Sequence, residues 1–243
     1  MTNNAAVRLD GVTKSYRGPA GRAPVLKDLT VEFERDRLTA VMGPSGSGKT
    51  TLLHCAAGLD TPDSGAVFLG DRDLARCSQR RLTEIRRHRI GFVFQQFNLL
   101  PMLTAYDNVA LALRLRGERV RRADVTRALA HVGLEGKARR RPAQLSGGEQ
   151  QRVAIARTLV VRTEVVFADE PTGALDRSTG RQVMRLFRDA VDRASQTVVM
   201  VTHDPAVAAA ADRVVYLSDG RVVGSIDRPS ADEIAHQLTL WEQ

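Results

Sequence analysis

A glycine-rich octet is the feature that most restricts how this 243-residue chain can fold. Residues 43–50 read Gly-Pro-Ser-Gly-Ser-Gly-Lys-Thr, which satisfies the spacing G-x-x-x-x-G-K-[ST]. The apolar run at 38–42 predicts a buried strand before the octet, and residues 50–57 predict a helix after it. A glycine loop in this position turns its backbone N–H groups inward, beside the positive end of the helix. The octet therefore predicts a phosphate-binding site in an α/β fold.

Four side chains suit the cleavage of a nucleoside triphosphate. The Lys49 ammonium can follow the β- and γ-phosphates, and the Thr50 hydroxyl can coordinate the Mg²⁺ that bridges them. The apolar strand at 165–168 ends in Asp169 and Glu170, where α/β sheets bind ligands. Asp169 suits Mg²⁺ binding, and Glu170 is placed to polarise a water for attack on the γ-phosphate. A surface acidic pair is the alternative for these two carboxylates.

A second octet narrows the class of protein. Residues 145–152 read Leu-Ser-Gly-Gly-Glu-Gln-Gln-Arg, with Ser146 as the N-cap of a helix that continues to 159. This octet resembles the signature sequence of the ATP-binding cassette family. Together with the phosphate loop and the acidic pair, the resemblance covers nearly the whole chain. It implies that the signature of one subunit covers the ATP held by another, so that two copies face head to tail.

The resemblance assigns four further residues. Tyr16 resembles the aromatic residue that stacks on adenine, with a core tyrosine as the alternative. Gln95 is similar to the glutamine that reaches Mg²⁺ and the attacking water and senses the membrane partner; Gln96 is the rival assignment. Asp176 lies in a segment similar to the loop that crosses to the opposite subunit. His203 resembles the histidine that hydrogen-bonds the γ-phosphate.

The predicted site therefore has three sets of residues. The predicted catalytic residues are Glu170, His203 and Gln95. The residues predicted to hold Mg²⁺ are Thr50, Gln95 and Asp169. The residues predicted to bind ATP are Tyr16, Gly43, Pro44, Ser45, Gly46, Ser47, Gly48, Lys49, Thr50, Thr51, Ser146, Gly147, Gly148, Glu149 and Asp176.

Strand-like and helical patterns alternate on both sides of a helical stretch at about 105–160, which indicates one α/β core with an insertion. The resemblance implies a P-loop NTPase (RecA-like) core with an N-terminal antiparallel β subdomain and an inserted α-helical subdomain. We expect one nucleotide-binding domain over 1–243. Its core covers about 1–85 and 160–243, and its helical subdomain covers about 86–159. A short helix is predicted in the tail at 229–243.

Composition argues against several other classes of protein. The net charge of +8 is scattered in short arginine clusters without interleaved aromatic residues, so no nucleic-acid partner is expected. Two distant cysteines support neither a disulfide framework nor a zinc site. The N-terminal residues lack an apolar signal core, and no apolar run approaches the ~20 residues that span a bilayer. These features favour a cytoplasmic protein.

The segment at 95–109 combines apolar residues with a proline, and in the family this segment meets a membrane permease. With 171–176 it looks most like the branch that serves lipoprotein release, macrolide efflux and cell-division signalling. We therefore expect the ATPase subunit of an export system, docked on the inner face of the membrane through separate permease chains. One alternative is an ATP-gated regulator that signals to cell-wall enzymes without transport. Another is a soluble cassette of translation or DNA repair, which usually has two cassettes or a long coiled-coil insertion.

Overall fold

A computed structural model describes residues 4–18 and 21–241. Residues 1–3, 19–20 and 242–243 lie outside the described residues, and with them the outermost parts of the N-terminal and tail predictions. The strands of the described residues are β1 Ala5–Gly18, β2 Gly21–Glu34, β3 Leu38–Met42, β4 Ser64–Leu69, β5 Arg72–Asp73, β6 Ile90–Val93, β7 Val165–Asp169, β8 Thr197–Val201, β9 Arg213–Ser218 and β10 Arg221–Asp227. The helices are α1 Lys49–Ala56, α2 Gln79–Arg89, α3 Ala105–Leu115, α4 Arg122–His131, α5 Gly147–Leu159, α6 Arg177–Ala194, α7 Pro205–Ala208 and α8 Ala231–Trp241, with 3-10 turns at Glu135–Lys137 and Pro142–Gln144.

Two sheets form the framework of the fold. The smaller sheet is antiparallel and has the strand order β2-β1-β4-β5. The larger sheet has the order β10-β9-β3-β8-β7-β6, in which only the β10–β9 pairing is antiparallel. This mixed α/β arrangement, with an antiparallel β subdomain beside a parallel sheet, confirms the predicted fold class.

The parallel strands are buried on both faces, which explains why their sequences are continuous apolar runs. Because side chains alternate along a strand, Val166 and Ala168 of β7 join one core and Val165 and Phe167 join the other. The first core also contains apolar residues of α3 to α8, and the second contains α1 and the inner face of the antiparallel sheet. The larger sheet thus stands between two apolar layers.

The helical insertion consists of separate helices. Helices α3, α4 and α5 pack against one another, and the contact between α3 and α5 is the most extensive of the three. The sequence pattern did not separate α4 from its neighbours, and it missed α2, whose buried residues are Leu82 and Ile85 alone. The tail helix was predicted and is α8. The domain limits stay a prediction.

Strands β3, β8 and β7 are adjacent in the larger sheet, and this adjacency positions the candidate site. These strands end at Met42, Val201 and Asp169, so three loops leave the same edge of the sheet side by side. Within residues 4–18 and 21–241, no helix is long and apolar enough to cross a bilayer.

Candidate functional site

The glycine loop lies between β3 and α1, as its sequence predicts. Gly43 has φ 150°, and a Cβ atom there would lie 1.9 Å from the Leu217 carbonyl oxygen of β9. No side chain fits in that space, so the loop can pass this close to the neighbouring strand only with glycine. Gly48 is the N-cap of α1 and makes no side-chain cap, which leaves the first N–H groups of the helix for another acceptor.

The Lys49 ammonium lies inside the loop. Its Nζ donates to the carbonyl oxygens of Gly43 at 2.9 Å and Pro44 at 2.8 Å. Burial lowers the pKa of Lys49, although the nearby Glu170 and Asp169 charges oppose this shift. A partly buried cation held by backbone carbonyls is one that a phosphate anion would stabilise.

Thr50 and Asp169 come together from positions 119 residues apart. The Thr50 hydroxyl donates to Asp169 Oδ1 at 3.3 Å. Burial raises the pKa of Asp169 despite this hydrogen bond, because the ionised carboxylate loses water there. A hydroxyl and a carboxylate oxygen at this spacing are ligands that Mg²⁺ prefers, so the predicted metal pair fits the geometry.

Glu170 and His203 form a pair at the ends of β7 and β8. His203 Nδ1 lies 2.9 Å from Glu170 Oε1, a distance at which the ring N–H donates to the carboxylate. Glu170 has φ 45°, and its backbone N–H donates to the Val201 carbonyl at 3.0 Å. Its Oε2 is buried and has no hydrogen-bond partner among the described residues. The site thus holds a carboxylate oxygen that can accept a proton or a hydrogen bond.

Gln95 lies two residues after β6 and near Glu170, with Gly173 between the two side chains. A Cβ atom on Gly173 would lie 3.4 Å from Gln95 Nε2 and 3.5 Å from Glu170 Cβ, so the two side chains flank one glycine. Gln95 itself is exposed. The rival residue Gln96 is also exposed, and its carbonyl accepts from the Asn98 N–H within a local turn. The arrangement favours Gln95, and its role stays a prediction.

Tyr16 lies at the outer end of the site. Its hydroxyl donates to Asp60 Oδ2 at 2.6 Å and also contacts the side chain of Thr51, in the first turn of α1. The Tyr16 side chain is 41% exposed, so the alternative of a core tyrosine does not describe its position. The predicted aromatic residue therefore stands beside the helix that begins at the phosphate loop.

The signature segment opens α5 with a reciprocal cap. The Glu149 N–H donates to Ser146 Oγ at 3.2 Å, and the Ser146 N–H donates to Glu149 Oε2 at 2.9 Å. Ser146 and Gly147 are exposed. Within the described residues, no hydrogen bond or ion pair joins 146–149 to the loop at 43–51. One copy of the chain therefore presents the signature and the phosphate loop as unconnected surfaces.

Asp176 caps α6. Its carboxylate accepts from the hydroxyls of Thr179 at 2.6 Å and Ser178 at 2.7 Å and from both of their backbone N–H groups. These bonds, led by that from Thr179, lower the pKa of Asp176. Asp176 thus fixes the start of α6 in this chain, and its predicted contact with a nucleotide is untested.

Two residues that the sequence analysis missed connect these parts. The buried Gln151 donates from Nε2 to the Pro171 carbonyl at 2.8 Å, which ties the signature helix to the residue after Glu170. Arg157 donates to the Asn98 carbonyl at 2.6 Å and the Phe97 carbonyl at 3.2 Å. Its signal in the sequence is a single arginine inside the otherwise apolar end of α5.

The glycine loop after β3 and the carboxylates after β7 place the chain in the class of P-loop NTPases. A protein-family model described as ABC transporter matches residues 26–173. The chain therefore belongs to the ABC transporter family, and it carries the ATP-binding ATPase domain of that family.

Named relatives agree with this assignment. The chain is 41% identical to the macrolide export ATP-binding/permease protein MacB of Chromobacterium violaceum, over 98% of this chain and 37% of MacB. The chain thus spans less than two fifths of that relative. It is 43% identical to the ABC transporter ATP-binding protein YvrO of Bacillus subtilis, over 88% of this chain and 94% of YvrO.

A solved structure shows the same fold with a product bound. The ATP-binding cassette MJ0796, described as a dimeric post-hydrolysis state bound to ADP and Pi, superposes with a TM-score of 0.86. The two chains are 40% identical, and the match covers 92% of this chain and 99% of the other.

We predict that Gly148→Ala lowers the free energy of unfolding by about 1–3 kcal/mol, because the new methyl overpacks the junction of α5 and α6. A Cβ atom there would lie 2.4 Å from Thr179 Cγ2, and the Thr179 hydroxyl is held by Asp176. Adding Thr179→Ser, which keeps the hydroxyl and removes the methyl, should restore most of the loss. Urea unfolding of both variants measures this, with Thr179→Ser alone as the control. Failure of the second change to rescue would contradict the steric explanation.

Proposed function

We propose that two copies of this chain close head to tail around two Mg-ATP and that this closure drives a membrane permease of the export type. Each phosphate loop binds one ATP, and the signature of the other copy covers it. Hydrolysis then reopens the pair.

The observation that carries the proposal is the exposure of the signature segment. Ser146 and Gly147 are solvent-exposed at the N-terminus of a 13-residue helix, which is an anion-binding position. Ser146 makes no hydrogen bond to the described residues 43–51 of its own chain. A second copy supplies the partner surface that this arrangement needs. The relative MJ0796 is described as a dimer, which supports the same assembly.

Mg²⁺ would bind at Thr50 and Asp169, whose oxygens already lie 3.3 Å apart. The ion would supply charge neutralisation between the β- and γ-phosphates. Its remaining ligands would come from phosphate oxygens, water and Gln95, the glutamine that the family resemblance assigns to Mg²⁺. Burial of Asp169 disfavours its charge, and a bound cation would offset that cost.

Glu170 would orient and deprotonate the attacking water. The orphaned Oε2 is a buried acceptor, and buried acceptors are normally paired, so a water there is the simplest partner. His203 holds the other oxygen at 2.9 Å, which fixes the direction of the carboxylate. The same histidine is exposed enough to reach a γ-phosphate placed by the loop.

The membrane partner would dock in an apolar groove of about 490 Å³ between α2, α3, β6 and α5. Leu115 is 56% exposed on its rim, and Met102, in the loop that leads into α3, is 76% exposed. Arg157 lines the groove and also binds the carbonyls of Phe97 and Asn98, just after Gln95. A segment pressed into this groove would therefore move the residue that is predicted to contact Mg²⁺. The export direction follows the names of the MacB relatives.

We predict that Glu170→Gln binds ATP but loses turnover by about 10²–10⁴-fold, because the amide cannot act as a base while the phosphate loop stays intact. The variant should accumulate a nucleotide-bound dimer. Phosphate release and size-exclusion chromatography with ATP measure both effects. Glu135→Gln, at an exposed position, is the matched control and should keep the parental rate. Full activity of Glu170→Gln would remove Glu170 from the chemistry.

We predict that Ser146→Arg abolishes the ATP-induced dimer and its ATPase activity but leaves the ATP affinity of the monomer within about twofold, because Ser146 acts on the site of the other copy. Ser230→Arg is the matched control, since Ser230 forms the same reciprocal cap with Glu233 at α8. Calorimetry and size-exclusion chromatography separate affinity from assembly. An equal loss of monomer affinity would argue against a shared site.

We predict that Leu115→Arg lowers the fraction of the chain that binds cassette-stripped membrane vesicles of its own organism by about tenfold, because a charge replaces an apolar contact in the groove. ATPase activity without membranes should not change. Leu240→Arg on α8 is the control, because Leu240 is 50% exposed but lies outside the groove. Sedimentation of the vesicles measures the bound fraction. Equal binding of both variants would place the membrane partner elsewhere.

A further inference from the structure

A carboxylate outside the phosphate loop holds Tyr16, the aromatic side chain that is predicted to stack on adenine. Asp60 Oδ2 accepts from the Tyr16 hydroxyl at 2.6 Å, and Asp60 Oδ1 accepts from the Lys14 ammonium at 2.6 Å. Lys14 and Tyr16 are two residues apart on β1, so they share one face of the strand. One carboxylate thus binds both side chains.

The same contacts determine which part of the Tyr16 ring is free. Lys14 Nζ lies over the ring, 5.2 Å from its centroid, and its side chain is 12% exposed. Asp60 and the Thr61 carbonyl hold this ammonium in place. The cation therefore covers the ring on one side, and the exposed part of the ring remains for a flat ligand.

Asp60 also connects the ring to the phosphate loop. Its backbone N–H donates to the His54 carbonyl at 3.1 Å, near the end of α1, and α1 begins at Lys49 inside the loop. The Tyr16 hydroxyl touches Thr51 on the same helix. The ring is thus fixed to both ends of one short helix, and its distance from the loop is set.

The pairing of β1 with β2 is irregular at this point. It shifts between Val12 and Lys14 and again between Lys14 and Ser15, with the extra residues on β2, so β1 keeps its alternation. A bulge locally disrupts the hydrogen-bond ladder beside it. The Asp60 carboxylate therefore holds Lys14 and Tyr16 where the strand pairing is weakened.

Both groups keep the protonation states that the hydrogen bonds need. Burial alone would raise the pKa of Asp60, but the bonds from Lys14 and Tyr16 outweigh it and lower the pKa. Burial and the bond to Asp60 raise the pKa of Tyr16 to about 12, so the phenol remains a donor at neutral pH.

We propose that Asp60 is a positioning residue for the nucleobase: it holds the Tyr16 ring, with Lys14 behind it, at a fixed distance from the phosphate loop. The site then distinguishes a purine nucleotide from inorganic triphosphate. This inference rests on the proposed function, because it needs Tyr16 to meet the base. Asp60 acts through Tyr16 and takes no part in the cleavage of the phosphate.

The test compares calorimetric Kd values for Mg-ATP and Mg-tripolyphosphate. Tyr16→Phe keeps the ring and removes the hydroxyl that binds Asp60, so it tests the anchor without touching the Lys14–Asp60 ion pair. Asp60→Asn tests the carboxylate directly. Each change should raise the Kd for Mg-ATP by about tenfold, within the range that base–aromatic stacking supplies, and leave tripolyphosphate within about twofold.

Two controls separate positioning from folding. Asp63→Asn alters a carboxylate of the same turn that binds the Ser15 N–H and Arg22, and it should leave both affinities within about twofold. In a Tyr16→Ala background, Asp60→Asn should cause no further loss of ATP affinity, because the two residues act as a unit. Circular dichroism confirms that each variant is folded.

The outcomes are distinct. Parental ATP affinity in Tyr16→Phe, or an equal loss of ATP and tripolyphosphate in Asp60→Asn, would overturn the assignment of Asp60 and leave the proposed function standing. A parental chain that binds neither ligand would instead overturn the proposed function. Selective loss of ATP in both variants, absent in Asp63→Asn, supports the inference.

Discussion

The close passage of the glycine loop over β9 is the constraint on which the rest of the site depends. Because Gly43 has no side chain, its backbone can lie against the Leu217 carbonyl, and the loop turns directly from β3 into α1. This turn places the N-terminus of α1 at the edge where β7 and β8 also end. Thr50 and Asp169 then meet although they are far apart in the chain. A longer or displaced loop would separate the hydroxyl from the carboxylate.

Partial burial shifts the pKa values of two charged groups in this site. The pKa of Lys49 is lowered and that of Asp169 is raised, in each case mainly by burial, so burial disfavours both charged forms. A phosphate beside the lysine and a cation beside the aspartate would each offset the lost solvation. The two side chains therefore suit the binding of Mg-ATP in the proposed function.

Contacts between helices connect the site to its surroundings. Gln151 ties the signature helix to Pro171, and Arg157 ties the same helix to the turn after Gln95. These contacts join α5 to the turn that follows Glu170 and to the segment beside the apolar groove. In the proposed function, this single helix links the copy-to-copy contact with the membrane contact.

The sequence by itself determined the phosphate loop, the capped signature helix and the buried parallel strands, because each depends on the backbone preferences of contiguous residues. It did not reveal the length of β1 and β2, whose outer ends are exposed, or α2, which buries only two residues. Only the tertiary structure decided which distant side chains meet. Asp60 with Tyr16, Gln151 with Pro171 and Glu170 with His203 are such pairs. Their contacts depend on the order of strands in the sheet and the packing of helices on it, and no local pattern in the chain encodes either.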